Sequence, residues 1–285
     1  MLVVHVNSKI PDGTLNDIQW IPFVTNSLLL FYFIALAACS NETPTRLDQS
    51  SEEWSWELVN KFHHDSLAFT QGLLVYDGYI YESTGLYGHS SIRKVDIESG
   101  KIIQERTLPG NVFTERLARV ENKFIQLTWL NYLGYVYDVD SLQEINKFHY
   151  DRQGWGITFD GFDLIMSDGS DTLFYWDAGS YEEKNALAVT SDGKPVQRLN
   201  ELEFINGYIW ANIWKSDSIA VIDPENGHVE TWLDMSGILD SGERTDTADV
   251  LNGIAWDEEK QAIYITGKLW PHVFQIRVTG PENRL

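Results

Sequence analysis

Cysteine is almost absent from this chain of 285 residues: the single one, Cys39, leaves no internal disulfide and no cysteine-based metal site. Basic residues are scarce too, with 21 Lys and Arg against 42 Asp and Glu, a formal charge of −21. Such a field repels phosphate backbones, so nucleic acid is excluded as a partner, and an anionic membrane surface would not hold the chain without an anchor. The histidines (His5, His63, His64, His89, His149, His228 and His272) share no repeat position, and His63-His64 reads as a strand edge at the surface rather than a ligand pair. No P-loop, HExxH or GxSxG string occurs, which removes the usual signs of nucleotide cradles, zinc peptidases and serine-nucleophile elbows. No apolar run is long enough to cross a bilayer comfortably; residues 27–38, SLLLFYFIALAA, come nearest.

That run has the length of a signal-peptide core and ends in Leu36-Ala37-Ala38-Cys39, followed by polar residues. The pattern resembles a bacterial lipobox, in which the cysteine is lipidated and becomes the first mature residue. The expectation is a leader over 1–38, lipidation at Cys39, a polar tether over 39–53, and a location on the periplasmic side of a bacterial cell envelope. Asp12 and Asp17 disagree with a basic leader start, which places the true start downstream of residue 1.

Over the whole chain hydrophobic residues make up 43% and aromatics 13%, including 11 Trp and 13 Tyr, a composition that fits pleated, half-buried surfaces. Five segments share one plan of strand, tight turn and strand. Their inner strands begin at Phe69-Thr70-Gln71-Gly72, Phe113-Thr114-Glu115-Arg116, Gly154-Trp155-Gly156, Leu199-Asn200-Glu201 and Leu251-Asn252-Gly253. Asp77-Gly78 and Asn206-Gly207 between strands are hairpin signals, because both central residues of a type I′ turn need positive φ. A period of about 40–50 residues with about four short strands per unit predicts an all-β, five-bladed β-propeller. It should occupy 54–280 and close by pairing a strand over 54–62 with the last unit. The acidic stretch 236–250 is expected to be loop or a short helix.

In a propeller, residues at one phase of the repeat form a ring at one end of the axis. The phase before the inner strand holds Gln71, Glu115, Trp155, Asn200 with Glu201, and Asn252. The second strand returns to the same end, bringing Gly85, Trp129, Gly169, Trp214 and Lys268. Carboxylate, ammonium, amide and tryptophan side chains around a hollow suit a small-molecule or chain-end site.

The strings Phe69-Thr70-Gln71-Gly72, Glu82-Ser83-Thr84-Gly85-Leu86-Tyr87-Gly88, Leu127-Thr128-Trp129, Leu199-Asn200-Glu201-Leu202-Glu203 and Thr266-Gly267-Lys268-Leu269-Trp270-Pro271 resemble the plant and bacterial glutamine cyclotransferases, in order over about 66–278. The resemblance implies a five-bladed propeller enzyme that turns N-terminal glutamine of peptides into pyroglutamate, releases ammonia and needs no catalytic metal. It implies Glu115, Lys268 and Asn200 as catalytic residues, and Phe69, Gln71, Trp129, Trp155 and Trp214 as substrate-binding residues. It also implies a peptide or protein with N-terminal glutamine as partner; we expect a monomer, with room left for a structural calcium.

One position departs from the family, which has glycine after the catalytic glutamate where this chain has Arg116. An arginine there is expected to depress the Glu115 pKa or to fill the pocket. The chemistry needs no protein nucleophile, since the substrate's α-amine attacks its own γ-amide carbonyl. Glu115 can shuttle the proton, Lys268 and Asn200 can donate to the oxyanion, Gln71 can position the peptide, and the tryptophans can exclude water. Two other functions fit a propeller. A non-catalytic envelope module binding peptides or cell-wall fragments would show losses in the ring, and a metal-dependent hydrolase would need several carboxylates or histidines converging on the axis.

Overall fold

The computed structural model describes residues 54–280. The leader, Cys39 and the tether lie outside the described residues. Among those described, every regular element is a strand.

Strand β1 (Ser55–His63) comes first. Blade one follows as β2 (Thr70–Tyr76), β3 (Tyr79–Thr84), β4 (Ser91–Asp96) and β5 (Ile102–Thr107). Blade two is β6 (Thr114–Val120), β7 (Lys123–Thr128), β8 (Leu133–Asp138) and β9 (Glu144–His149). Blade three is β10 (Gly156–Phe159), β11 (Asp163–Ser167), β12 (Thr172–Asp177) and β13 (Glu183–Ala188). A small hairpin, β14 (Thr190–Ser191) with β15 (Lys194–Pro195), leads to blade four: β16 (Leu199–Ile205), β17 (Tyr208–Ile213), β18 (Ser218–Ile222) and β19 (Val229–Asp234). Blade five takes β20 (Leu251–Asp257), β21 (Ala262–Gly267) and β22 (His272–Thr279) from the end of the chain. Its fourth strand is β1, antiparallel to β22 with Phe62 opposite Val273. The ring is therefore a five-bladed β-propeller closed by the expected N-terminal strand.

Local sequence explains the strands. Asp77 and Gly78 both take positive φ, as do Asn206 and Gly207, the geometry that matches a tight hairpin to strand twist. Innermost strands such as β2 and β6 are buried almost throughout, whereas outer β5 alternates between half-buried and exposed. The core lies between blades, one apolar cluster per interface. Blades four and five, for example, share Trp210, Val221, Ile254, Ile265 and Phe274, and blades five and one share Leu73, Ile80, Ala255 and Tyr264. Segment 236–250 is loop and turn, not helix.

The axis is filled by charge. Arg116 is fully buried and sets its guanidinium 2.6 Å from Glu201 and 2.5 Å from Glu203. The two glutamates also accept backbone N–H groups, Glu201 from Leu73 and Ile254, and Glu203 from Trp256. Neighbouring inner strands make room with glycine. A Cβ at Gly72 would fall 2.4 Å from Arg116 Cδ, and one at Gly156 would fall 2.0 Å from the Asn200 carbonyl.

Candidate functional site

The pocket opens where the inner strands begin, and irregular pairing aims its side chains. In β2, β6, β16 and β20 the ladder gains one extra inner-strand residue, between Thr70 and Gly72, Thr114 and Leu117, Leu199 and Leu202, and Leu251 and Ile254. Such bulges turn a side chain out of the sheet's regular alternation. Gln71, Glu115, Asn200 and Asn252 all lie in these interruptions. Backbone bonds from Trp129 to Phe113 (2.9 Å) and from Gly85 to Phe69 (2.8 Å) bring the ends of the second strands to the same rim.

A cavity of about 300 Å³ is lined by Phe69, Gln71, Glu115, Trp129, Trp155, Asn200, Trp214 and Lys268. All eight catalytic and binding candidates in the propeller thus share one pocket. Phe113, Lys215, Asp249 and Val250 also line it. Phe113 occupies the repeat phase of Phe69, which is the signal that would have found it. Asp249 and Val250 come from the loop before blade five and answer to no repeat, so only the fold reveals them. They are paired to Lys268 by two backbone bonds of 2.9 Å, which fix the lysine's base.

Aromatic rings build the walls. Trp155 meets Trp214 edge-on with centroids 5.5 Å apart, and Phe113 meets Trp129 at 5.6 Å and Phe69 at 6.2 Å. The absence of a side chain at Gly169 admits the Trp155 ring, since a Cβ there would lie 2.8 Å from it. Gln153 escaped the sequence analysis. Its Oε1 accepts from both Trp129 Nε1 (2.7 Å) and Trp155 Nε1 (3.1 Å), so one amide ties together walls from blades two and three.

The polar groups are buried and sparsely partnered. Glu115 is 6% exposed, and no protein donor is seen at its carboxyl among the described residues. Burial pushes its pKa up to about 8, against the opposing pull of Lys268. Burial lowers the Lys268 pKa, with Glu115 and Asp249 acting the other way. The ammonium sits 4.9 Å over the Phe69 ring. Gln71 Oε1 is buried with no hydrogen-bond partner, an arrangement that costs free energy unless a ligand supplies a donor.

Asn252 stands behind Asn200 rather than in the pocket. Its Nδ2 donates to the Thr70 carbonyl (3.0 Å), which can only accept, so its Oδ1 must face Asn200. Asn200 Nδ2 donates there at 2.7 Å, leaving its Oδ1 and second N–H for a substrate.

Three expectations are corrected. Arg116 neither adjoins the Glu115 carboxyl nor fills the pocket, because its guanidinium is held by Glu201 and Glu203 in the axis; burial, not a cation, dominates Glu115. Glu201 likewise belongs to the axis. His64 is no surface residue either: its side chain is 4% exposed and lies between the Trp270 carbonyl (2.7 Å) and Glu82 (3.0 Å). Among the described residues, no group of three His, Cys, Asp or Glu is placed to hold a metal.

The family model described as glutamine cyclotransferase matches residues 29–278. A glutaminyl-peptide cyclotransferase of Arabidopsis thaliana is 41% identical over 257 residues, covering 88% of this chain and 79% of the plant protein. The crystal structure of Myxococcus xanthus glutaminyl cyclase is similar with a TM-score of 0.75 at 34% identity, covering 80% of this chain and 97% of that one. By sequence over nearly all of the propeller and by fold, this chain belongs to the glutamine cyclotransferase family.

Proposed function

We propose that the pocket converts the N-terminal glutamine of peptides into pyroglutamate and releases ammonia, with Glu115 moving the proton. The observation that carries this is the buried Glu115 carboxyl, pushed up to about 8 and facing a cavity whose other charged groups include Lys268. A peptide α-amine has a reference pKa of about 8. Matched values make proton exchange between amine and carboxylate nearly cost-free, which is the condition for efficient acid–base catalysis.

In the proposed reaction the α-nitrogen of the free amine forms a bond to the γ-carbonyl carbon while Glu115, in its ionised form, takes a proton from that nitrogen. Charge accumulating on the γ-oxygen faces Lys268 and the free N–H of Asn200. The C–N bond to the amide nitrogen then breaks, and Glu115 returns the proton so that ammonia leaves. Gln71 Oε1, which lacks a protein donor, accepts from a substrate N–H. The tryptophan walls fold the flexible side chain into attack geometry and limit water, which would otherwise give glutamate. No step calls for a metal, and turnover is expected to survive prolonged chelation.

The decisive experiment is ammonia release from a Gln-initiated dipeptide, with mass spectrometry for the loss of ammonia from the peptide. Binding without turnover by the folded protein would favour the non-catalytic peptide-binding alternative. We further propose that Cys39 carries a lipid anchor on the outer face of a bacterial inner membrane or in the outer membrane. Cys39→Ala should then move the protein from the detergent phase to the aqueous phase, and unchanged partitioning would remove the anchor.

A further inference from the structure

The rim of the pocket is chemically lopsided. At the same position in the repeat, the loops that follow the second strands differ from blade to blade. Blades three and four carry Asp168-Gly169-Ser170-Asp171 and Lys215-Ser216-Asp217, which are polar. Blades one and two carry Leu86-Tyr87 and Leu130-Asn131-Tyr132. Their apolar side chains face solvent: Leu86 is 37% exposed, Tyr87 51%, Leu130 39% and Tyr132 43%. A burial-driven fold has no use for four large apolar groups held outside on adjacent loops.

These groups are held there by a pinned backbone. Leu86 has φ 87° and Tyr132 φ 57°, left-handed conformations that side-chain-bearing residues resist and that concentrate at functional sites. The Leu86 carbonyl accepts from His89 N and Ser90 Oγ, both at 3.0 Å. Asn131 bridges to the neighbouring segment, accepting from Phe113 N (3.3 Å) and donating to the Asn111 carbonyl (2.9 Å). The surface also continues into the pocket without a break, because the Tyr87 ring lies 5.5 Å from Phe113, which in turn meets Trp129.

We propose that loops 86–90 and 129–132 form an apolar ledge that seats the side chains of the second and third residues of the peptide, so that the enzyme favours apolar or aromatic residues after the N-terminal glutamine. The inference rests on the cyclisation proposed above. An extended chain advances about 3.3–3.6 Å per residue, so the residues after a glutamine held in the pocket emerge within reach of its rim. On that rim blades one and two place exposed apolar surface beside the aromatic wall, whereas the loops of blades three and four carry charge. Contacts made remotely from the reacting atoms act equally on ground and transition state, so the preference appears in KM and leaves kcat nearly constant.

The test compares glutamine amide with Gln-Phe-Ala amide, Gln-Leu-Ala amide and Gln-Ser-Ala amide on the parent and on the double variant Tyr87→Ser/Leu130→Ser. The expected result is a KM about tenfold lower for the Phe and Leu peptides than for the Ser peptide. The double variant should lose that difference while keeping the parent's kcat and KM on glutamine amide. Equal KM values across the peptides on the parent would overturn the ledge, as would a preference that survives in the double variant. So would a parent dimer, seen by sedimentation, that the double variant abolishes, since a second copy would then cover the surface. Failure of the parent to cyclise even glutamine amide or any of the peptides is a different result: it removes the proposed activity and the ledge's role with it.

Discussion

Glu115 and Arg116 are consecutive in β6 yet serve opposite sides of the propeller's inner wall. The Glu115 carboxyl faces the pocket, while the Arg116 guanidinium lies in the axis between Glu201 and Glu203. Were Arg116 to depress the Glu115 pKa or fill the pocket, as its place beside Glu115 in the sequence suggests, Arg116→Gly would spare or improve turnover. The ion network reverses that expectation. Removing the arginine strands two buried carboxylates whose pKa values burial already raises against the pull of Arg116. Arg116→Gly should therefore destabilise the fold by about 3–5 kcal/mol, measured by denaturant unfolding. The acidic limb of the pH–rate profile of whatever remains folded should stay in place, since Arg116 contributes no pull on Glu115.

Glu115→Gln preserves shape but cannot carry a proton. Turnover on Gln-initiated peptides should fall by about 10²–10⁴-fold. The fold should be unaffected, because the resting carboxyl is already largely neutral at pH 7 with its pKa near 8. Ammonia release, with circular dichroism as the folding control, checks both halves. Near-parental kcat in the folded variant would end the acid–base assignment, and Glu201 could not replace it, being locked in the axis.

Lys268→Met removes the cation that opposes the burial-driven rise of Glu115. A carboxylate that loses a nearby cation becomes a weaker acid, so the acidic limb of kcat/KM should move to higher pH. The maximum kcat should also drop, because charge on the γ-oxygen loses its donor in the transition state. An unchanged limb together with a raised KM alone would make Lys268 a binding residue only.

His64 clasps the closure of the ring. One imidazole nitrogen faces the Trp270 carbonyl and the other faces Glu82, which also accepts from Thr70 and from Arg93; Arg93 in turn reaches Asp65. Both ring nitrogens meet acceptors, the arrangement of an imidazolium. Burial lowers the His64 pKa, but Glu82 and the Trp270 carbonyl outweigh burial and Arg93, and the net shift is upward. A raised folded pKa gives stabilisation that is complete below the unfolded value of about 6.5 and is lost as pH rises through the folded value. Unfolding free energies of parent and His64→Gln should therefore differ most near pH 5.5 and converge as the pH becomes alkaline. A gap that widens with pH would contradict the clasp.

Much of the site was legible before the fold was known, because a propeller converts sequence period into radial position. Gln71, Glu115, Trp155 and Asn200 share a phase, Trp129 and Trp214 share another, and radial repetition alone brings them to one end. Turn chemistry at Asp77-Gly78 and Asn206-Gly207 likewise depends only on residues in contact along the chain. What the tertiary structure decided depends on parts that are distant in sequence. One extra residue in β6 and in β16 sets which of two neighbours faces the pocket and which faces the axis, so Glu115 and Asn200 turn one way and Arg116 and Glu201 the other. Asn252 shares the phase of Asn200, yet hydrogen bonds from blades one and four place it behind. The loop that brings Asp249 to Lys268 belongs to no repeat. The protonation of Glu115 and of His64 follows from burial and from partners supplied by other blades, and those exist only once β1 has paired with β22 and closed the ring.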